Sequence, residues 1–198
     1  YRKGMSTMEK IDSNQEKLLC TRKKSVDVFL LPSGKQFRAI AEMADGVHHM
    51  RIHVLVNQPS LKIKEISCEM LSVPDSGCRE AKNCLEPLLE KRVAPGLTRE
   101  LNNGTPTGCT HMINLFHEAC YNLTLAQSIN GKTELEKSFP GITEEQIYKI
   151  FLWFRPELKN SCVRYVDLSP FMEKVENSQL PESAEKLKAI AMAQAQQR

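Results

Sequence analysis

The chain has 198 residues, 41% apolar and 26% charged, with a net charge of +3. That suits one domain with an appendage, or two small ones, of ordinary globular composition. The small positive charge is spread out apart from Arg22-Lys23-Lys24, which argues against a nucleic-acid surface. No apolar run approaches the ~20 residues of a membrane span.

The first 17 residues are mostly polar, without an export signal, and read as a disordered or expression-derived segment ahead of the fold. Seven irregularly spaced cysteines then point to a reducing cytoplasm, with thiols that are buried, ligating or reactive rather than paired. Ser25 to Leu31 is β-rich, Pro32-Ser-Gly-Lys35 is a turn, and Gln36 to Met43 forms the second arm of a hairpin. After the Ala44-Asp45-Gly46 turn, His48, Met50, Ile52, Val54 and Val56 alternate with His49, Arg51, His53 and Leu55. Leu61 to Met70 is a fourth strand. Four consecutive strands with short turns predict an antiparallel meander with one face covered by apolar residues.

Two helices are predicted to supply the cover. Cys78 to about Arg92 carries Ala81, Cys84, Leu85, Leu88 and Leu89 at helical spacing, with Pro87 as a kink or break. Leu97 to Leu101 reads as a helical turn, and Asn102 to Gly108 as a loop. The second helix runs from Thr110 to about Ser128, striped by Met112, Phe116, Ala119, Leu123 and Ala126, with Asn130-Gly131 as its stop. Beyond it, Thr143-Glu-Glu-Gln opens another helix, and Pro170 to Val175 and Pro181 to Arg198 are two more. The expected fold is α+β. Residues 18–130 form a sheet covered by two helices, and residues 131–198 a helical extension able to carry a homo-oligomer or partner contact.

The chemistry gathers at loop-to-helix junctions. Cys109 and His111 stand where a loop becomes a helix, and helix-start N–H groups favour a thiolate there. Cys78 precedes the other covering helix, and the Asp45 to His49 turn precedes the third strand. In a covered meander these loops can meet at one end. Cys78, Cys109 and His111, completed by His48, His49 or a carboxylate (Asp45 or Asp75), would form a tetrahedral set for zinc or iron. Cys20, Cys68, Cys84, Cys120 and Cys162 read as packing residues, and His53 and His117 as surface residues. A second reading makes Cys109 a reactive thiolate of an enzyme or accessory factor. A third is an interaction module acting through the C-terminal helices. Phosphate-loop, dinucleotide and nucleophile-elbow motifs are missing, so no nucleotide cofactor is expected.

Three ordered segments carry a resemblance: Pro74-Asp-Ser-Gly-Cys78, Gly96-Leu-Thr-Arg99 and Gly108-Cys-Thr-His-Met112. Over roughly Leu18 to Gln127 the chain resembles a bacterial family catalogued as a domain of unknown function. Its members carry Gly-Cys-Thr-His-Leu at a helix start, with Pro-x-x-x-Cys and a Gly-Phe-Thr-Arg-like segment upstream. Many show a His-Asp pair ahead of the third strand, where this chain has Val47-His-His-Met50. More distantly, Met50 to Val56, Ile63 to Ile66, Cys78, Leu89 to Val93 and Cys109 are similar in kind and order to iron–sulfur assembly scaffolds of the NifU/IscU type. That resemblance implies Cys78 and Cys109 as cluster or zinc ligands. The scaffolds' first Cys-Gly-Asp motif is replaced by Asp45-Gly46 to His49. It therefore implies a scaffold-like fold with an altered metal or small-molecule site.

Overall fold

The computed structural model describes residues 17–94, 96, 97, 99 and 108–195. The expectations for residues 1–16, most of the 97–101 turn, the 102–107 loop and the last three residues lie outside these. The chain divides into two compact units, residues 1–126 and 127–198.

The first unit is the α+β fold. Strands β1 (Lys23–Leu30), β2 (Gln36–Ala44), β3 (His49–Asn57) and β4 (Lys62–Ser72) form one antiparallel sheet in sequence order. The turns follow from local chemistry. Gly34 adopts φ +69, open to glycine without a Cβ clash, and its N–H donates to the Leu31 carbonyl at 2.8 Å. Asp45 accepts from the N–H groups of Val47 and His48, an Asx turn that fixes the β2–β3 connection. Period-two alternation then puts Phe37, Ala39, Ala41 and Met43 of β2 and Met50, Ile52, Val54 and Val56 of β3 on the buried face.

That face is covered by helix α1 (Thr110–Ser138), through Met112, Leu115, Phe116, Ala119 and Leu123. Leu85 and Leu88 extend the cover, but not from an α-helix running Cys78 to Arg92. Residues Ser76–Asn83 and Glu86–Leu88 are two 3-10 segments instead. Pro87, without an N–H, stands at the start of the second and interrupts an α-helical ladder. Beyond it the chain pairs with β4: Glu90 N–H donates to Ile63 O, Ile63 N–H to Lys91 O, and Val93 N–H to Leu61 O. Those sheet bonds claim the groups that a helix to Arg92 would need.

Helix α1 also outruns its expected stop, continuing through Asn130-Gly131 to Ser138. A Cβ at Gly131 would stand 3.5 Å from the Phe151 ring, so the ring packs directly over the bare backbone. A glycine inside a helix costs about 1 kcal/mol against alanine, too little to end a helix that tertiary packing supports.

In the second unit, α2 (Glu144–Phe154) starts with a capping box between Thr143 and Gln146. Helix α3 (Pro170–Asn177) is capped by Ser169, and α4 (Glu182–Ala195) follows. Ile147, Ile150, Met172, Val175, Ala184 and Ala191 are its buried apolar residues among those described. The Arg164 guanidinium lies 3.9 Å from the centre of the Phe171 ring. Among the described residues no helix is long and apolar enough to cross a membrane.

Candidate functional site

The turn before β3 and the first turn of α1 bring two imidazoles together. The rings of His48 and His111 are 4.2 Å apart between centroids, tilted by 42°. Sequence patterning places each: His48 continues the buried-face alternation of β3, and His111 immediately precedes buried Met112.

Asp45 organises this end of the sheet. One carboxylate oxygen accepts the His48 and Val47 N–H groups at 2.7 and 2.8 Å and lies 3.3 Å from His48 Nδ1. The other accepts from Arg22, with contacts of 2.9 Å to Nε and 2.7 Å to the terminal nitrogen. The two backbone N–H groups, and then Arg22 and His48, hold the Asp45 carboxyl well below the usual carboxylate range. An ionised carboxylate only accepts, so Nδ1 of His48 carries the proton and Nε2 keeps its lone pair while the ring is neutral. His111 is held below its ordinary value of 6.5. Burial is the largest cause, followed by the cationic influence of His48, Arg22 and Lys24, with Asp45 opposing. Near neutral pH His111 is therefore uncharged, with an unprotonated ring nitrogen.

The other candidate ligands are dispersed. His49 sits on the opposite face of β3, its Nε2 2.6 Å from Glu42. There Arg51 bridges Glu42 and Glu69 at 2.9 and 3.4 Å, and His53 lies 3.3 Å from Glu69. Cys78 is half-buried in the 3-10 segment, its N–H on the Asp75 carbonyl. Asp75 caps the same segment through the Gly77 N–H. Cys109 is half-buried one residue ahead of α1, its N–H against the Cys84 sulfur. Cys68 and Cys84 lie within electrostatic reach of it. Burial pushes the Cys68 thiol up to about 12 and raises Cys84. Among the described residues, no group of three or more His, Cys, Asp or Glu side chains is placed to hold one metal ion.

Two packing assignments need correction: Cys20 and Cys162 are exposed, because neither belongs to a strand or helix that faces a core. Cys68 and Cys84 are buried, as their apolar neighbours require. Sequence reasoning missed Arg22, weighing the Arg22-Lys23-Lys24 triplet only against a nucleic-acid surface. Its signal lies in the register. Lys23 pairs with Ala44, so Arg22 arrives beside Asp45 one residue further along each strand.

Neither the curated proteins nor the solved structures yielded a match. A family model does match, over residues 13–123, which contain all four strands, the Asp45–His48 turn and His111. By that match, which covers more than half of its length, the chain belongs to the family described as "Protein of unknown function (DUF2889)".

Proposed function

We propose that the first unit is a cytoplasmic metal-binding module whose ion is held by His48 and His111. The observation that carries this reading is the contact between the two rings, 4.2 Å apart at centroids, with Asp45 on Nδ1 of His48. A metal-ligating imidazole is neutral and commonly passes its other N–H to a carboxylate, which fixes tautomer and orientation. The Asp45–His48 arrangement has this form. Its partner His111 is held neutral by burial, so both rings can present lone pairs. Imidazoles suit zinc and ferrous iron. Two protein ligands leave further positions for water or a small ligand. The seven free thiols support a reducing compartment.

The test is a titration of untagged, chelator-treated protein with Zn²⁺ and with Fe²⁺ under argon. One ion should bind per chain, and His48→Ala or His111→Ala should remove that binding. Unchanged affinity in the double variant overturns the reading.

A further inference from the structure

Helix α1 carries a second apolar stripe, opposite the one that covers the sheet. Tyr121, Leu125 and Ile129 are 70%, 47% and 59% exposed. They recur every fourth residue, and at 3.6 residues per turn they lie within about 40° of the Leu125 direction. Seven residues to either side of Leu125 stand Glu118 and Lys132, on the same face.

The stripe is apolar on both sides of Leu125 and antisymmetric in charge: acid, apolar, apolar, apolar, base. We infer that it is a docking surface for a second copy of this chain, packed antiparallel about a two-fold axis at Leu125. A two-fold interface requires that if residue i meets j, then j meets i. Reversing the helix about Leu125 sets Tyr121 against Ile129 of the other copy, Leu125 against its counterpart, and Glu118 against Lys132. Both ends of the contact gain an ion pair. A parallel pairing sets Glu118 against Glu118 and Lys132 against Lys132 and is disfavoured. Within one chain Glu118 faces Lys24 at 3.5 Å, and Lys132 faces Glu136 at 3.8 Å. Both pairs are exposed, so exchanging them costs little. The stripe runs about 21 Å along the helix, at 1.5 Å per residue. Three apolar side chains per copy make an interface at the small end of the scale, so the dimer is concentration-dependent.

Sedimentation equilibrium of the full chain from about 1 to 500 µM tests it, a range matched to interfaces of this size. The wild-type chain should shift from monomer to dimer. Leu125→Glu, which puts two carboxylates at the axis, should weaken dimerisation at least tenfold. Glu118→Lys and Lys132→Glu should each be monomeric alone, and an equimolar mixture of the two should dimerise again. That mixture restores both ion pairs, which a folding defect cannot do. A monomeric wild-type chain, a dimer that survives Leu125→Glu, or a mixture that stays monomeric overturns the inference.

Discussion

On the outer face of the sheet, His49 is matched by Glu42 and His53 by Glu69, with Arg51 tying the two acids together. At the end where β3 begins, His111 packs on His48, and the one carboxylate that His48 contacts, Asp45, is already committed to Arg22 and two backbone N–H groups. Two adjacent residues, His48 and His49, thus enter opposite regimes because strand alternation sends them to opposite faces. A matched ladder satisfies its charges internally and asks for no ligand. His111, buried beside His48, Arg22 and Lys24 with only Asp45 opposing, is kept from protonating and retains a lone pair. That contrast, more than the number of titratable groups, separates the ion-paired His49 and His53 from the two histidines proposed as ligands.

The largest expected effect concerns what anchors each region. His111 rides on α1, which is fastened to the sheet by fully buried Leu115 and Phe116. Phe116→Ala should cost about 3–5 kcal/mol in denaturant unfolding, from lost burial and a cavity. Arg51→Ala, at the hub of the outer ladder, should cost no more than about 1 kcal/mol, because part-exposed ion pairs contribute little. Equal costs would mean that the outer face is as tightly integrated as the core.

Next comes the metal. Asp45→Asn keeps the side chain's size but no longer favours the Nδ1–H form of His48 by charge. Zinc affinity, read by calorimetry, should fall about 10–100-fold, the usual penalty for losing an orienting carboxylate. Glu42→Gln, which treats His49 in the same way, should leave affinity unchanged. Equal losses from the two variants would erase the distinction between the faces.

Thiol labelling gives a smaller, graded signal. Near neutral pH the exposed Cys20 and Cys162 should react first. Cys68 and Cys120, pushed by burial up to about 12, should stay silent until the chain unfolds, because the thiolate is the reacting form. Mass spectrometry of timed alkylation resolves the order. Zinc that slowed Cys109 would draw that thiol into the His48–His111 site.

The strands were legible because β2 and β3 alternate cleanly between core and solvent, and the first two turns hold Gly34 and Asp45 at the residue that needs them. A covered meander was expected to bring the Cys78 loop, the Cys109 loop and the Asp45–His49 turn to one end; of these, the turn and the start of α1 meet through His48 and His111. Less was legible where non-local bonds decide. The apolar spacing of Ala81, Cys84, Leu85 and Leu88 fits a helix, yet residues 90–93 pair with β4, and nothing local announces that. Asn130-Gly131 has the composition of a helix stop, but Phe151 packs onto it from twenty residues downstream. Asp45 was in view as a possible ligand. Its role in orienting His48 depends on an Asx turn and on Arg22 across the sheet, which only the register reveals.

The smallest effect distinguishes the two regions by pH. His111 titrates below its ordinary 6.5 when folded, facing His48, Arg22, Lys24 and Asp45. As pH falls through 6.5 the unfolded chain takes up a proton that the folded chain does not, so this contribution to stability is present above 6.5 and declines below it. Glu42 is held below its ordinary 4.5, first by the His49 hydrogen bond and then by Arg51. Its contribution is present above 4.5 and is lost as pH falls through the folded value, with Asp45 following in the same sense below 3.8. Unfolding free energy measured in chelator from about pH 8 to 3 should therefore decline in two stages. His111→Gln should flatten the stage that begins near 6.5 and leave the acid stage intact. Glu42→Gln should do the reverse. If one substitution flattened both stages, the two faces would be electrostatically coupled through the sheet, and the contrast between a matched ladder and an unmatched pair would not hold.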